Sequence, residues 1–254
     1  MKVVIIGSGN VAWVLGKKMK QAGVEIIQVL SRNKEQGQQL AGILSTAFAS
    51  TYSELSKKAD LYMIAVSDTY ISSVAAQLKL KNKIIVHTAG SVSKTVLQST
   101  ATATCSYGVL YPLQTLNKEA QLVPEVPVLI DGVDENTIQQ LTQFAAIWSE
   151  SVAVADDDQR LKMHIAAVFS SNFTTFMHVM ADEYCTAEGL NFKMLLPLIE
   201  ETSSRLKMHR PVEVQTGPAI RKDIPTINMH IDLLSSYPRL QGMYRLISAS
   251  ILDQ

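Results

Sequence analysis

Through about the first 155 residues of this 254-residue chain, short apolar runs alternate with longer stretches of helical periodicity. Val3 to Ile6 is an unbroken apolar run and predicts a strand buried on both faces. A helix is predicted from about Asn10 to Gln21, closing at Gly23, with a second strand over Val24 to Leu30. Leu61 to Val66 and Lys83 to Val86 predict two further buried strands, with a helix between them over Asp68 to Leu78. Weaker strand signals lie at Cys105 to Leu110, Val126 to Ile130 and Ser151 to Val154, the last preceded by a helix over Glu135 to Trp148. Strands alternating with helices predict a mostly parallel, doubly wound α/β sheet of the Rossmann type.

The pattern changes after Asp156-Asp157-Asp158. Helical periodicity then runs over Gln159 to Glu188, Asn191 to Lys207, Ile224 to Leu234 and Pro238 to Leu252, punctuated by Gly189, Pro211, Gly217-Pro218 and Pro238. Two domains are therefore expected: residues 1–155, an α/β nucleotide-binding domain, and residues 156–254, an all-helical domain for substrate and dimerisation.

Composition narrows the partners. With 47% hydrophobic and 18% charged residues, the chain can bury a sizeable core. Its 23 basic residues balance 23 acidic ones, which leaves no general attraction to nucleic acid or anionic lipid, so neither is expected as a partner. No apolar stretch approaches the ~20 residues of a membrane span. The apolar run at the start stops at Gly7, short of a secretion signal, and the two cysteines, Cys105 and Cys185, form no disulfide or zinc pattern. A cytoplasmic protein without a metal site is expected.

Gly7-Ser8-Gly9-Asn10-Val11-Ala12 follows the first strand and opens the first helix, the context in which a G-x-G-x-x-A run binds a dinucleotide. Gly7 serves the tight turn, Gly9 lets the backbone approach the pyrophosphate, Ala12 keeps the helix close to the sheet, and the helix N-terminus offers N–H groups to phosphate. Binders of NAD usually place a carboxylate at the end of the second strand to accept from the ribose 2′-hydroxyl. Here that position reads Ser31-Arg32-Asn33. A hydroxyl beside a guanidinium suits a 2′-phosphate, so NADP(H) is the expected cofactor.

Ligands of open parallel sheets sit beyond the carboxyl ends of the strands. Val66 and Ser67 close the strand that begins at Leu61, and Ala89 and Gly90 follow the next one; all four are expected to border the cofactor. Ser67 and Asp68 could equally cap the following helix. His87 stands at a strand end and is a proton-transfer candidate, although a satisfied polar residue would look the same. On the helix from Gln159, the polar residues His164, Ser171, Thr175, His178 and Asp182 recur near one face with Asn172 beside them, while Ala166, Phe169, Phe173, Met177 and Met180 form an apolar stripe. The polar face is either the lining of a cleft toward the nicotinamide or a solvated face with a few satisfied buried polar groups.

The layout resembles the 6-phosphogluconate dehydrogenase-like superfamily, which includes pyrroline-5-carboxylate reductase, ketopantoate reductase and deazaflavin-dependent NADP reductases. Within it the chain most resembles a group of Rossmann-like oxidoreductases whose helical domain has no assigned function. The resemblance rests on Gly7 to Ala12, Ala65 to Asp68, His87 to Ser91, Tyr111-Pro112-Leu113-Gln114, His164 to Val168 with Ser171-Asn172, and Thr216-Gly217-Pro218 with Arg221 and Asp223. Two departures matter. The group more often has His-Pro-Leu where this chain has Tyr111-Pro112-Leu113, so an acid–base role there passes to a phenol or is lost. The lysine–asparagine pair of hydroxyacid dehydrogenases is absent, because Lys162 lies ten residues before Asn172.

The resemblance implies an NADP-dependent oxidoreductase that moves hydride between nicotinamide and a small carbonyl, imine or hydroxyl substrate. The candidates for its chemistry are His164 as proton donor or acceptor, Asn172 to orient substrate, and Tyr111 and His87. A non-catalytic NADP(H) sensor or scaffold is the alternative from a different class, and a deazaflavin partner is a third reading. The apolar residues Phe169, Phe173, Phe176, Met177 and Met180, together with the habit of the superfamily, imply a homodimer through the helical half.

Overall fold

Val3–Ile6 form β1, and all four side chains are buried. Alternate residues of a strand face opposite ways, and here Val3 and Ile5 enter one apolar cluster while Val4 and Ile6 enter another on the other face of the sheet. The computed structural model describes residues 1–100, 104–120 and 122–253.

The chain continues through α1 (Asn10–Gln21), β2 (Ile26–Leu30), α2 (Lys34–Leu44), β3 (Ala47–Ala49) and β4 (Leu61–Ile64). A 3-10 turn over Asp68–Tyr70 leads into the short α3 (Ile71–Ala75), then β5 (Ile84–His87), β6 (Ser106–Pro112), β7 (Val128–Gly132), α4 (Glu135–Ala145) and β8 (Val152–Val154). The eight strands form one sheet in the order β3-β2-β1-β4-β5-β6-β7-β8. All neighbours are parallel except β6 and β7, which pair antiparallel with Gly108 opposite Gly132. The first six strands thus have the doubly wound order expected of a Rossmann sheet.

Between Leu30 and Leu61 the chain makes α2 and β3, for which no element was expected. Helix α2 buries only Gly37, Leu40, Ala41 and Leu44, and its two glycines weaken the periodic signal; β3 is three residues long. The helix expected from Asp68 to Leu78 is a 3-10 turn followed by a single short α segment.

Two compact units result, Met1–Asn172 and Phe173–Gln254. The expected boundary near Asp156 marks where strands give way to helices. Compactness puts the division later, because α5 (Asp157–Ala167) is tied to the sheet by ionic bonds described below. Its N-terminus carries a capping box, with Asp156 accepting from the Gln159 N–H and the Gln159 side chain accepting from the Asp156 N–H. The long helix expected from Gln159 to Glu188 is interrupted by a π-helical stretch, Val168–Phe173. Such stretches accompany functional sites.

The second unit holds α6 (Thr174–Ala187), a 3-10 turn over Phe192–Leu195, α7 (Leu196–Arg205), α8 (Pro211–Val214), α9 (Ile224–Leu233) and α10 (Pro238–Leu252). An apolar cluster in it joins buried Ala219, Ile227 and Ile231, with Tyr244, Ile251 and Leu252 packed against them. Among the described residues, no helix is long and apolar enough to cross a membrane. Both cysteines are free thiols.

Candidate active site

The turn after β1 is built for close approach. Gly7 has φ of 125°, and a Cβ there would stand 2.1 Å from the Ala65 carbonyl oxygen, so only glycine fits between β1 and the end of β4. A Cβ at Gly9 would meet nothing within 4 Å and would project into open space at the start of α1. Ala12 is fully buried behind the turn. The cleft above, about 550 Å³, is lined by Gly7, Ser8, Gly9, Asn10 and Val11 on one side, and by Ser31, Arg32, Val66 and Ser67 beyond them. An open glycine at a helix N-terminus is the cradle a pyrophosphate needs, and the residues present fit a dinucleotide.

At the far end of this cleft the Ser8 and Ser31 hydroxyls are buried and bonded to each other at 2.8 Å. Arg32 is exposed, and among the described residues it makes no ion pair with a carboxylate. Its guanidinium carbon lies 4.7 Å from the centre of the Tyr70 ring. Burial pushes the Tyr52 phenol above its ordinary range, with the Arg32 charge acting in the opposite sense. Asn33 is the N-cap of α2 and accepts from the Gln36 N–H, which fixes where Arg32 leaves the strand.

A second cleft of about 640 Å³ lies at the ends of β5 and β6 and along α5. It shares Asn10, Val11 and Asp68 with the first, so the two are continuous. Here the Tyr111 hydroxyl and His164 Nδ1 are 2.9 Å apart, the rings meeting edge to face at 74°. Burial raises the Tyr111 phenol above its usual value, the negative charge of Asp68 adds to this, and Arg160 opposes it. Gly90 passes beneath the pair. A Cβ there would come within 2.8 Å of the Tyr111 ring and 2.9 Å of His164 Nδ1. Ala89 and Asn172 line the same cleft, and Thr115 Oγ1 bonds Ser171 Oγ at 2.6 Å across it.

His87 stands apart from both clefts. It is fully buried, and its Nδ1 accepts from the Ala89 N–H at 3.2 Å. Desolvation, with the Arg160 charge behind it, lowers its pKa to about 4. A neutral imidazole with no exposed edge has no route to a substrate, so His87 is a structural residue shaping the Ala89-Gly90 loop and not a proton carrier.

Arg160, one helical turn before His164, is 1% exposed and lies in an ionic network. Its Nη2 donates to the Val92 carbonyl at 2.7 Å and to Asp157 at 2.5 Å, and Nη1 lies 3.6 Å from Asp131 on β7. Lys94 Nζ donates to both Asp131 oxygens, at 2.8 and 2.9 Å, and Ser93 Oγ to Asp157 at 2.5 Å. This network holds the start of α5, and hence His164, against the sheet.

Of the polar face expected on the long helix, His164, Ser171 and Asn172 reach the cleft. Thr175, His178 and Asp182 belong to the second unit. Ser67 occupies the N-cap position of its 3-10 turn without a side-chain bond, and Asp68 accepts from Ser91 Oγ at 2.8 Å, so neither caps by its side chain. Tyr70, Thr115, Lys94, Asp131 and Arg160 were not among the expected site residues. Thr115 stands just after the Tyr111 to Gln114 run; the others carry no local signal. Among the described residues no group of His, Cys, Asp or Glu is arranged to hold a metal ion.

Two family models match the chain: "NADP oxidoreductase coenzyme F420-dependent" over residues 2–90, and a "domain of unknown function (DUF2520)" over residues 126–251. A solved structure described as a "putative NADP oxidoreductase", from Bacteroides fragilis, is 33% identical with a TM-score of 0.90, and the match covers 100% of this chain and 98% of that one. The chain belongs to this NADP oxidoreductase family. The cofactor expected from the sequence, NADP(H), is the family's cofactor. The fold extends further. A 1-pyrroline-5-carboxylate reductase from Streptococcus pyogenes is 16% identical with a TM-score of 0.69, covering 100% of this chain and 99% of that one. An imine reductase from Myxococcus stipitatus, solved with NADP+, is 16% identical with a TM-score of 0.69, covering 100% of this chain and 93% of that one. No curated protein matches the chain.

Proposed function

We propose that this NADP oxidoreductase reduces or oxidises a small carbonyl, imine or hydroxyl compound held beside Tyr111 and His164. The observation that carries the reading is the Tyr111–His164 pair, set over Gly90 in a cleft that shares Asn10, Val11 and Asp68 with the glycine-turn cleft. Gly7 to Val11 would hold the pyrophosphate of NADP(H), and Ser31 and Arg32 its 2′-phosphate. When bound, the nicotinamide supplies or accepts the hydride.

The protein's own task is the proton. A phenol whose pKa is raised stays protonated at neutral pH and donates to His164 Nδ1. With Nδ1 accepting, the imidazole carries a proton on Nε2; in the reducing direction that proton goes to the reacting oxygen or nitrogen while the Tyr111 proton moves to Nδ1 and leaves the phenolate, and in the oxidising direction both transfers run in reverse. Tyr111 thereby sets the tautomer. Asn172 and the Thr115–Ser171 pair offer neutral hydrogen-bonding groups to orient substrate.

His164→Gln should leave NADPH affinity nearly unchanged while lowering turnover by about 10²–10⁴, the usual share of acid–base catalysis. Titration by cofactor fluorescence, a melting curve and a carbonyl and imine substrate panel make the test. Loss of stability and cofactor binding together would make His164 a structural residue. Coenzyme F420 belongs in the panel as a second hydride partner, because residues 2–90 match a family of coenzyme F420-dependent NADP oxidoreductases. Steady binding of NADPH with no turnover of any compound would instead favour a sensor. The exposed Phe173, Phe176, Met194, Leu198 and Leu233 of the helical unit lead us to propose a homodimer. Two free thiols fit a reducing, cytoplasmic setting.

A further inference from the structure

Arg32 and Tyr70 come from different parts of the sheet. Arg32 follows β2, Tyr70 ends the 3-10 turn after β4, and β1 with its glycine turn lies between those strands. Both line the same cleft, and the guanidinium carbon sits 4.7 Å from the Tyr70 ring centre. The turn that carries Tyr70 is itself held, by the Tyr70 N–H bonding the Ser67 carbonyl at 2.8 Å and by the Asp68–Ser91 bond.

The chemistry of this contact is selective about what it uses. A guanidinium attracted to an aromatic face is engaged through its charge and its plane, while its N–H donors at the edge stay available. A carboxylate partner would do the opposite, consuming donors and cancelling charge. Among the described residues, Asp68 is the one carboxylate lining this cleft, and its bond is to Ser91. Arg32 is therefore ordered by a neutral ring and keeps both its charge and its donors. An ordered cation loses less side-chain freedom when an anion arrives, which strengthens binding without any contact between the ring and the anion.

We infer that Tyr70 is a specificity-determining residue for NADP(H) over NAD(H), acting as a platform that positions Arg32 for the 2′-phosphate. This rests on the assignment of Arg32 to that phosphate. Tyr70→Ala should weaken NADPH binding about two- to fivefold, the worth of an exposed cation–π contact, and leave NADH binding unchanged. Tyr70→Phe, which keeps the ring, should behave as the unmodified protein does.

The experiment is fluorescence titration of NADPH and NADH against the full-length protein, Tyr70→Ala, Tyr70→Phe and Arg32→Ala, with melting curves to confirm that all four are folded. Equal losses for both cofactors in Tyr70→Ala would overturn the inference and make the ring a surface for the shared adenosine half. A Tyr70→Phe variant as impaired as Tyr70→Ala would overturn it in favour of the hydroxyl. If Arg32→Ala abolishes the preference for NADPH and Tyr70→Ala retains it, this inference alone fails. If the unmodified protein binds both cofactors equally, the assignment of Arg32 fails and the role of Tyr70 falls with it.

Discussion

The two units of this chain bury apolar surface on very different scales. In Met1–Asn172, both faces of the sheet carry extended apolar clusters, anchored by residues such as Leu15, Met63 and Phe144 on one face and Tyr62, Ile71 and Ile85 on the other. In Phe173–Gln254, the cluster around Ile227 has three buried members, while Phe176, Leu198, Met208 and Leu233 are exposed. The first unit has the burial expected of a self-sufficient fold; the second has amphipathic helices whose apolar faces are largely uncovered. Cofactor binding falls to the unit with the extended core, and the homodimer proposed above would use the unit whose apolar faces are exposed.

The strongest way to break this contrast is to separate its terms. Residues 173–254 expressed alone should show no cooperative thermal transition by circular dichroism at low micromolar concentration, whereas the full chain should scatter light as a species near twice 27.9 kDa. A well-folded monomeric fragment, or a monomeric full chain, would erase the distinction.

Within the first unit the contrast sharpens at Arg160, which ties α5, the helix that carries His164, to the sheet. Arg160→Ala leaves Asp157 and Asp131 short of a buried partner and should cost about 3–5 kcal/mol, toward the lower end because Lys94 still pairs with Asp131. Denaturant unfolding would measure it, and a change under 1 kcal/mol, well below that range, would mean the network is not what holds α5.

His87 predicts a pH dependence for the same unit. Its folded pKa of about 4 lies below the ordinary 6.5. Above pH 6.5 the imidazole is neutral in both states and contributes no slope. Between pH 6.5 and 4 the unfolded chain takes up a proton that the folded protein refuses, so stability falls with falling pH, by about 3 kcal/mol once both values are passed. His87→Gln should flatten this window relative to the unmodified protein, and an identical slope in both would assign the acid sensitivity to other groups.

The smallest effect expected is at Gly90. Adding a methyl group pushes against Tyr111 and His164, so Gly90→Ala should cost about 1–3 kcal/mol through overpacking and lower turnover more than NADPH affinity. A variant with full activity would show that the pair tolerates displacement.

Much of the fold was legible from the chain because local signals and tertiary packing agree. Helix α1 spans Asn10–Gln21 and α10 spans Pro238–Leu252, as the periodicity and the flanking glycine and proline predict. The glycine turn could be read because a Cβ at Gly7 would stand 2.1 Å from the Ala65 carbonyl oxygen, a demand that shows in the sequence as a glycine directly after the first apolar run. Helix α2 and β3 were illegible because their burial is partial and their signals short.

The candidate site divides along the same line. The end of the second strand pointed to Arg32, one helix face to His164 and Asn172, and the family resemblance to Tyr111. The sequence alone determined that a dinucleotide cleft would open over Gly7 to Ala12 and that its far end would carry a cation. Only the tertiary structure decided which side chains meet. Tyr111 and His164 are 53 positions apart and Arg32 and Tyr70 lie on opposite sides of β1, and no periodicity within a segment encodes a distance between segments. The burial that turns His87 from a proton-transfer candidate into a neutral structural residue is likewise supplied by neighbours it meets only on folding, because desolvation belongs to the packed environment and not to the residue.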